Sequence, residues 1–289
     1  MHPPFSVIFC GTPEFAIPSL RALAAAPEFS VDLVVTQPDK PVGRKQQLTP
    51  PPVKVAAQEL GLPVGQPEDM NSFQFPIPHF HFLVTVAYGQ IIGERLLALP
   101  SIAPVNVHPS LLPRWRGAAP IQNALLAGDA ETGVTIQHMV RELDAGDILG
   151  QESVRIAPRE TAETLHDKLA KVASSLLVET LKKPLRPEPQ DNAKITLCRK
   201  LSRRDGIVNS ATMTAQEIDR RVRALMPWPG VTCVVGKEEA KLHQASLEPV
   251  DDAFPLPCRD GTTLFVQRIQ SPGKNALRGD EWIRGKSHA

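Results

Sequence analysis

Short apolar runs alternate with helical spacing through the first half of the chain, and no other feature narrows the possible folds as much. Phe5–Cys10 (FSVIFC) reads as a buried strand. Gly11-Thr12-Pro13 then turns the chain into a helix expected to run to about Ala26, with Leu20, Leu23 and Ala24 on its inward face. Val31–Thr36 is a second expected strand, Phe82–Ala87 a third and Val105–His108 a fourth. The alternation in Val134–Met139 predicts an edge or antiparallel strand. Parallel neighbours need long crossovers, which helices supply, so this rhythm predicts an α/β fold with a doubly wound, mostly parallel sheet. Such sheets take ligands at the carboxyl ends of their strands, where His108 and Tyr88-Gly89 fall.

A long helix is expected from about Glu160 to Leu181, with Leu165, Leu169, Val172 and Leu176 on one face. Lys183-Pro-Leu-Arg-Pro-Glu-Pro then forbids helix continuation, since proline lacks the backbone donor. We therefore expect a first domain over residues 1–182, a surface linker over 183–205 and a second domain over 206–289. The second domain has a different grammar. Thr214-Ala-Gln-Glu217 is a capping box that starts a short helix with Ile218, Val222 and Leu225 inward, and Pro227-Trp-Pro-Gly230 stops it. Val231–Val235, Ala240–Leu247 and Leu264–Ile269 are short β-rich runs split by turns, the pattern of a small antiparallel barrel of roughly 80–90 residues.

At 289 residues, 42% hydrophobic and 22% charged, the composition is that of a globular protein, with no basic start or apolar stretch long enough for a signal or a membrane span. A cytoplasmic protein without membrane association, working as a monomer, is expected. Cys10, Cys198, Cys233 and Cys258 are scattered without zinc spacing, which predicts reduced thiols and no metal site. Net charge is only +1, but residues 190–289 carry 16 Lys+Arg against 12 Asp+Glu, whereas residues 1–189 carry 16 against 19.

The chemistry concentrates in Asn106-Val-His108-Pro-Ser110-Leu111-Leu112-Pro113 and in Leu143-Asp144-Ala-Gly-Asp147. Asn106 and His108 are two apart and so share a strand face. The Gly-containing loop can bring Asp144 to the imidazole. An amide, an imidazole and a carboxylate together can polarise a carbonyl, steady an oxyanion and manage the proton of an attacking amine, which are the requirements of acyl transfer. No Ser or Cys nucleophile motif accompanies them, so direct transfer is expected. Gly11-Thr12-Pro13 lacks the glycines of a phosphate loop, which argues against a nucleotide cofactor. Tyr88, Gly89, Gln90, Ile91 and Ile92 follow a buried strand and can wall a flat ring, with backbone amides as hydrogen-bonding groups. Gln37 to Val53 is a long, proline-studded loop without expected structure, in which Lys40, Arg44 and Lys45 are candidate phosphate contacts.

Six motifs, spread over nearly the whole chain, carry a resemblance: Cys-Gly-Thr-Pro-Glu-Phe-Ala, Thr-Gln-Pro-Asp-Lys-Pro-Val-Gly-Arg, Val-Ala-Tyr-Gly-Gln-Ile-Ile, Asn-Val-His-Pro-Ser-Leu-Leu-Pro-Arg-Trp-Arg-Gly-Ala-Ala-Pro-Ile, Leu-Asp-Ala-Gly-Asp-Ile and Pro-Trp-Pro-Gly. With them the chain resembles the methionyl-tRNA formyltransferases of the formyl-folate-dependent formyltransferase family. The resemblance implies a Rossmann-like catalytic domain followed by an oligonucleotide-binding-type (OB-like) barrel. It implies 10-formyltetrahydrofolate as co-substrate and initiator methionyl-tRNA as acceptor, in the service of translation initiation. Asn106, His108 and Asp144 become the catalytic set. Ser110, Leu111, Leu112, Pro113, Leu143 and the Tyr88–Ile92 turn become the folate site. Lys40, Arg44 and Lys45, with Lys200, Arg203 and Arg204, become tRNA contacts. The likeness is weaker at the carboxyl end, where Ile207-Val-Asn-Ser210 has no tryptophan and Pro249–Cys258 is short. The competing readings are a formyltransferase with a small amine acceptor such as an amino-sugar nucleotide or a glycinamide nucleotide, a hydrolase releasing formate, and a non-catalytic RNA-binding module.

Overall fold

The structure is a computed structural model that describes residues 3–43 and 45–286. It divides into two compact units. The first comprises Met1–Gly117, Glu131–Arg155 and His166–Leu197; the second comprises Ala118–Ala130, Ile156–Leu165 and Cys198–Ala289.

The first unit is built on a seven-stranded sheet. In chain order it contains β1 (Phe5–Gly11), α1 (Ile17–Ala25), β2 (Phe29–Val35), β3 (Lys40–Val42), β4 (Gln47–Thr49), α2 (Pro52–Glu59), β5 (Val64–Gly65), β6 (Phe82–Val86), α3 (Glu94–Leu97), β7 (Ala103–His108), β8 (Arg116–Gly117), β9 (Glu131–His138) and β10 (Ile148–Arg155). The strand order is β10-β9-β7-β6-β1-β2-β5. From β5 to β7 the pairs are parallel, and β9 and β10 join antiparallel. This is the mixed, parallel-dominated, Rossmann-like sheet that the alternation of the sequence dictates. The chain runs outward from β1 to β2 and β5, then returns to β6 and β7. The switch therefore lies between β1 and β6, and open α/β sheets place their ligand crevice at the carboxyl ends beside such a switch.

Packing corrects several local expectations. Leu20 and Leu23 are buried on α1, but Ala24 is exposed. The strand expected at Val134–Met139 as edge or antiparallel is β9, antiparallel to both its neighbours but inside the sheet; the edge belongs to β10. The stretch around Lys40 forms the antiparallel hairpin β3–β4, with Lys40 opposite Thr49 and Val42 opposite Gln47, so it is not a structureless loop. Arg44 lies outside the described residues.

The long helix α5 spans Ala162–Leu181. Its buried line is Leu165, Leu169, Ala173, Leu177 and Leu181, a strict four-residue step; Val172 and Leu176 are only half-buried. Where α5 passes over β10, Thr180 and Leu176 occupy the space that a side chain on Gly150 would fill. The stretch expected to be a surface linker folds back onto the first unit. Glu188 exchanges backbone hydrogen bonds with Ile148 (2.8 and 2.9 Å), and Gln190 is buried.

The second unit contains α4 (Pro120–Ala127), β12 (Ile207–Val208), α6 (Ala215–Leu225), β13 (Val231–Val235), β14 (Glu238–Ser246), β15 (Phe254–Pro257), β16 (Thr263–Gln270), β17 (Leu277–Arg278) and α7 (Gly279–Arg284), after the short strand β11 (Leu197–Cys198) at the junction. Its sheet runs β12-β13-β14-β16-β15, with β17 added to β16. Only the β12–β13 pair is parallel. The capping box forms as expected: Glu217 N–H donates to Thr214 Oγ1 (3.2 Å) and Thr214 N–H donates to Glu217 Oε2 (2.7 Å). Ile218, Val222 and Leu225 are buried along α6. Among the described residues no helix is long and apolar enough to cross a membrane.

Candidate active site

The end of β7 and two turns make the site. On β7, Asn106 and His108 share one face, and antiparallel register sets Asn106 opposite Gln137 and His108 opposite Thr135 on β9. Asp144 comes from the turn between β9 and β10. Its φ of +52° is in the left-handed region, which L residues enter at a cost. Gly146 makes the turn possible, because a Cβ there would stand 1.7 Å from the His138 carbonyl oxygen.

Asp144 is the hub. Its side chain is 7% exposed and that of His108 is 5%, with Oδ1 3.5 Å from Nδ1 of the ring. Asn106 Nδ2 lies 3.5 Å from the same oxygen, a long and weak contact. The strong donors to the carboxylate are Gln137 Nε2, at 2.9 Å from Oδ1, and the Gly117 N–H, at 2.9 Å from Oδ2. Burying a carboxylate is tolerable only when its oxygens are supplied with donors in this way. On the other edge of the ring, His108 Nε2 donates to the Trp115 carbonyl at 2.9 Å. Both ring nitrogens thus face acceptor oxygens, Nε2 at hydrogen-bonding distance and Nδ1 at the longer 3.5 Å. Trp115, at φ +62°, is a second left-handed residue in the site.

The sequence expectations fare unevenly. Asn106, His108 and Asp144 converge. Ser110 and Leu112 are buried and spent internally. Ser110 Oγ donates to the Arg114 carbonyl (2.6 Å), and the Leu112 N–H donates to Thr135 Oγ1 (3.1 Å). Leu111 covers Gly133 of β9, and Pro113 is half-buried. The Tyr88 ring points into the core with Ile8, Leu33, Leu83 and Ile92, where burial pushes its phenol above the ordinary value, so it presents no face to a ligand. The Tyr88 carbonyl is occupied as well, accepting from Thr12 Oγ1 (2.8 Å) and Gln37 Nε2 (3.0 Å). Gln90 accepts from the Met70 N–H (2.8 Å) and is a local clamp. What remains open at this turn is Gly89 and Ile91, and Leu143, next to Asp144 in the chain, is exposed.

Gln137, Gln190 and Arg116 were not anticipated. Strand alternation gave a usable signal for Gln137, which shares a β9 face with Thr135. Nothing in the local sequence marks Gln190. Lys40 and Lys45 are exposed on the hairpin of the first unit. Lys200, Arg203 and Arg204 are exposed in the second, where the neighbouring Arg199 pairs with Asp205 and holds that carboxyl down at about 2. No group of three or more His, Cys, Asp or Glu suited to a metal ion occurs among the described residues.

Comparison with known proteins fits this geometry. Residues 5–181 match the Formyl transferase family and residues 200–287 match Formyl transferase, C-terminal domain. The methionyl-tRNA formyltransferase of Paracoccus denitrificans is 40% identical over 291 residues, covering 96% of this chain and 97% of that protein. That of Listeria monocytogenes serotype 4b is 41% identical over 299 residues, covering 96% and 95%. Among solved structures, the N-formyltransferase of Helicobacter canadensis, in complex with folinic acid and dTDP-3-aminofucose, superposes with a TM-score of 0.67 at 17% identity, covering 92% of this chain and 98% of that one. HypX from Aquifex aeolicus in complex with tetrahydrofolic acid gives 0.61 at 16%, covering 96% and 46%. At these identities the structural likeness concerns the fold.

Proposed function

The chain belongs to the formyl transferase family, and from that premise we propose that it moves the formyl group of 10-formyltetrahydrofolate to the α-amine of methionine on initiator tRNA. The observation that carries the reading is the convergence of Asn106, His108 and Asp144 at the carboxyl end of β7, in a chain about 40% identical along nearly its whole length to methionyl-tRNA formyltransferases.

As the amine attacks the formyl carbon, negative charge gathers on the formyl oxygen and positive charge on the nitrogen. Asn106 is the donor with the most to offer that oxygen, because its present contact to Asp144 is weak. His108 supplies a second, charge-assisted donor at Nε2 once the Trp115 carbonyl yields it. Asp144 stabilises the charged ring and helps to take the amine's proton, directly or through water. Collapse of the intermediate breaks the bond from the formyl carbon to the folate nitrogen, which takes up the proton the amine lost, and leaves the formamide. The folate lies between the Gly89–Ile91 backbone and the Leu143–Asp147 turn, with its formyl end at Asn106.

The functional division follows the sequence expectation, with 1–182 catalytic, 183–205 connecting and 206–289 an OB-like barrel that helps to hold RNA. Lys40, Arg44 and Lys45 on one unit, and Lys200, Arg203 and Arg204 on the other, neutralise tRNA phosphates. The enzyme acts as a cytoplasmic monomer and uses no metal. The test is a formyl-transfer assay with 10-formyltetrahydrofolate and methionyl initiator tRNA, run beside an amino-sugar nucleotide and free methionine. Formyl-methionyl-tRNA as the dominant product supports the reading. Preferred formylation of the sugar amine would overturn the acceptor, and formate release alone would overturn transfer.

A further inference from the structure

Asp144 is held from behind by a residue 46 positions further along the chain. Gln190 is buried, and its Nε2 donates to the carbonyl oxygens of Asp144 (2.9 Å) and Gly146 (2.6 Å), the two carbonyls of the turn that presents the carboxylate. Its Oε1 accepts from Nε (2.9 Å) and Nη2 (2.8 Å) of Arg116. The amide therefore has one workable orientation, since a flip would set donors against donors and a lone pair against two carbonyls.

The segment carrying Gln190 is itself anchored. Glu188 is paired to Ile148, the Trp115 N–H donates to Thr196 Oγ1 (2.8 Å), and the Arg116 N–H donates to the Thr196 carbonyl (2.9 Å). One strap thus fixes both turns that meet the catalytic groups. The Asp144 turn provides the carboxylate. The Trp115–Gly117 turn provides the carbonyl on His108 Nε2 and the N–H on Asp144 Oδ2. The left-handed backbone of Asp144 is disfavoured by itself, and the bonds from Gln190 are among those that hold it.

We propose that Gln190 is a positioning residue for catalysis, holding Asp144 against His108 and Asn106 through the backbone of its turn. The proposal rests on the formyl-transfer reading of this site. Gln190→Glu tests it, because the oxygen facing Arg116 is kept while the NH2 donor is replaced by an acceptor. The expected result is a fall in kcat of about 10–100-fold with both KM values within about two-fold, the signature of a displaced catalytic group. In an Asp144→Asn background the same change should cost less than about two-fold, because residues acting through one another do not add. Trypsin cleavage after the exposed Arg141 should also quicken, a readout that needs no turnover. If Gln190→Glu folds poorly, Arg116→Lys provides the second variant, loosening the amide and lowering kcat in the same direction. Unchanged kcat, or a full multiplicative loss in the Asp144→Asn background, would overturn the proposal. Failure of the wild-type chain to make formyl product overturns the reading of the site instead, and the cleavage assay would still report on the strap.

Discussion

Asp144 and Asp219, one in each unit, are carboxylates with little exposed side chain, and they are held in opposite ways. Asp219 on α6 is 1% exposed and sits between two guanidinium groups, Arg159 Nη1 at 2.9 Å and Arg223 Nε at 2.8 Å. Both arginines are fixed further, since Arg159 donates to the Ala245 carbonyl (2.5 Å) and Arg223 to that of Glu160 (2.9 Å). Asp144 has no Lys or Arg among its described side-chain partners. It has a glutamine, a backbone N–H, a distant asparagine and an imidazole. Arginine never gives up its proton, so the Asp219 cluster can only hold elements together. Imidazole does exchange its proton, and a carboxylate braced by neutral donors remains able to respond when charge develops beside it. The difference is the one expected between a structural acid and a chemical one, and side-chain exposure alone, 2% for Asp219 and 7% for Asp144, would not reveal it.

The comparison breaks most visibly under exchange of each acid for its amide. Asp144→Asn should lower single-turnover formylation by roughly 10²–10⁴-fold while the unfolding midpoint barely moves, and His108→Ala and Asn106→Ala should fall in the same range. Near-normal turnover in any of the three would remove its assigned role. Asp219→Asn should behave in reverse, losing about 3 kcal/mol of stability in urea titration because Arg223, with its side chain 13% exposed, loses its charged partner. Its kcat per folded molecule should stay within about two-fold. A stable but inactive Asp219→Asn would erase the distinction.

The proposed phosphate contacts should show smaller effects that salt can tune. Lys45→Ala and Arg44→Ala should each raise KM for charged tRNA several-fold at low salt, leave KM for folate unchanged, and converge on wild type as salt rises, because phosphate contacts are then screened. No change at low salt would favour a small acceptor.

The smallest expected effect is at Asp205. Its hydrogen bonds from Arg199 hold the carboxyl down from the ordinary 3.8 to about 2. A depressed acid stabilises the fold above its unfolded value, and that contribution is lost as pH falls from about 4 towards 2. Wild type and Asp205→Asn should therefore differ slightly in stability near neutrality and converge across that window, as thermal unfolding at stepped pH would read.

Much of this was legible in the sequence. The strand–helix alternation, the capping box at Thr214–Glu217 and the pairing of Asn106 with His108 on one face all rest on periodicities of two and 3.6 residues, which neighbours in sequence determine. The proximity of the Asp144 loop to that face also followed, because a short turn between adjacent strands leaves it little room to be elsewhere. The errors began where a side chain's direction depended on what packed against it. Ala24 faces out although its neighbours in the helical step face in, and Tyr88 fills the core instead of lining a cleft.

What the tertiary structure alone decided is how Asp144 is held. Gln137 and Asp144 are only 7 positions apart, but Asn106 and His108 come beside them because β9 pairs antiparallel with β7, a register no local pattern sets. Gln190 arrives from a proline-rich stretch whose composition indicates only that a helix ends. Its two donated and two accepted hydrogen bonds connect residues 44 to 74 positions apart. Such contacts exist only after the chain has closed those loops, so the sequence named the candidate groups while the packing fixed their geometry.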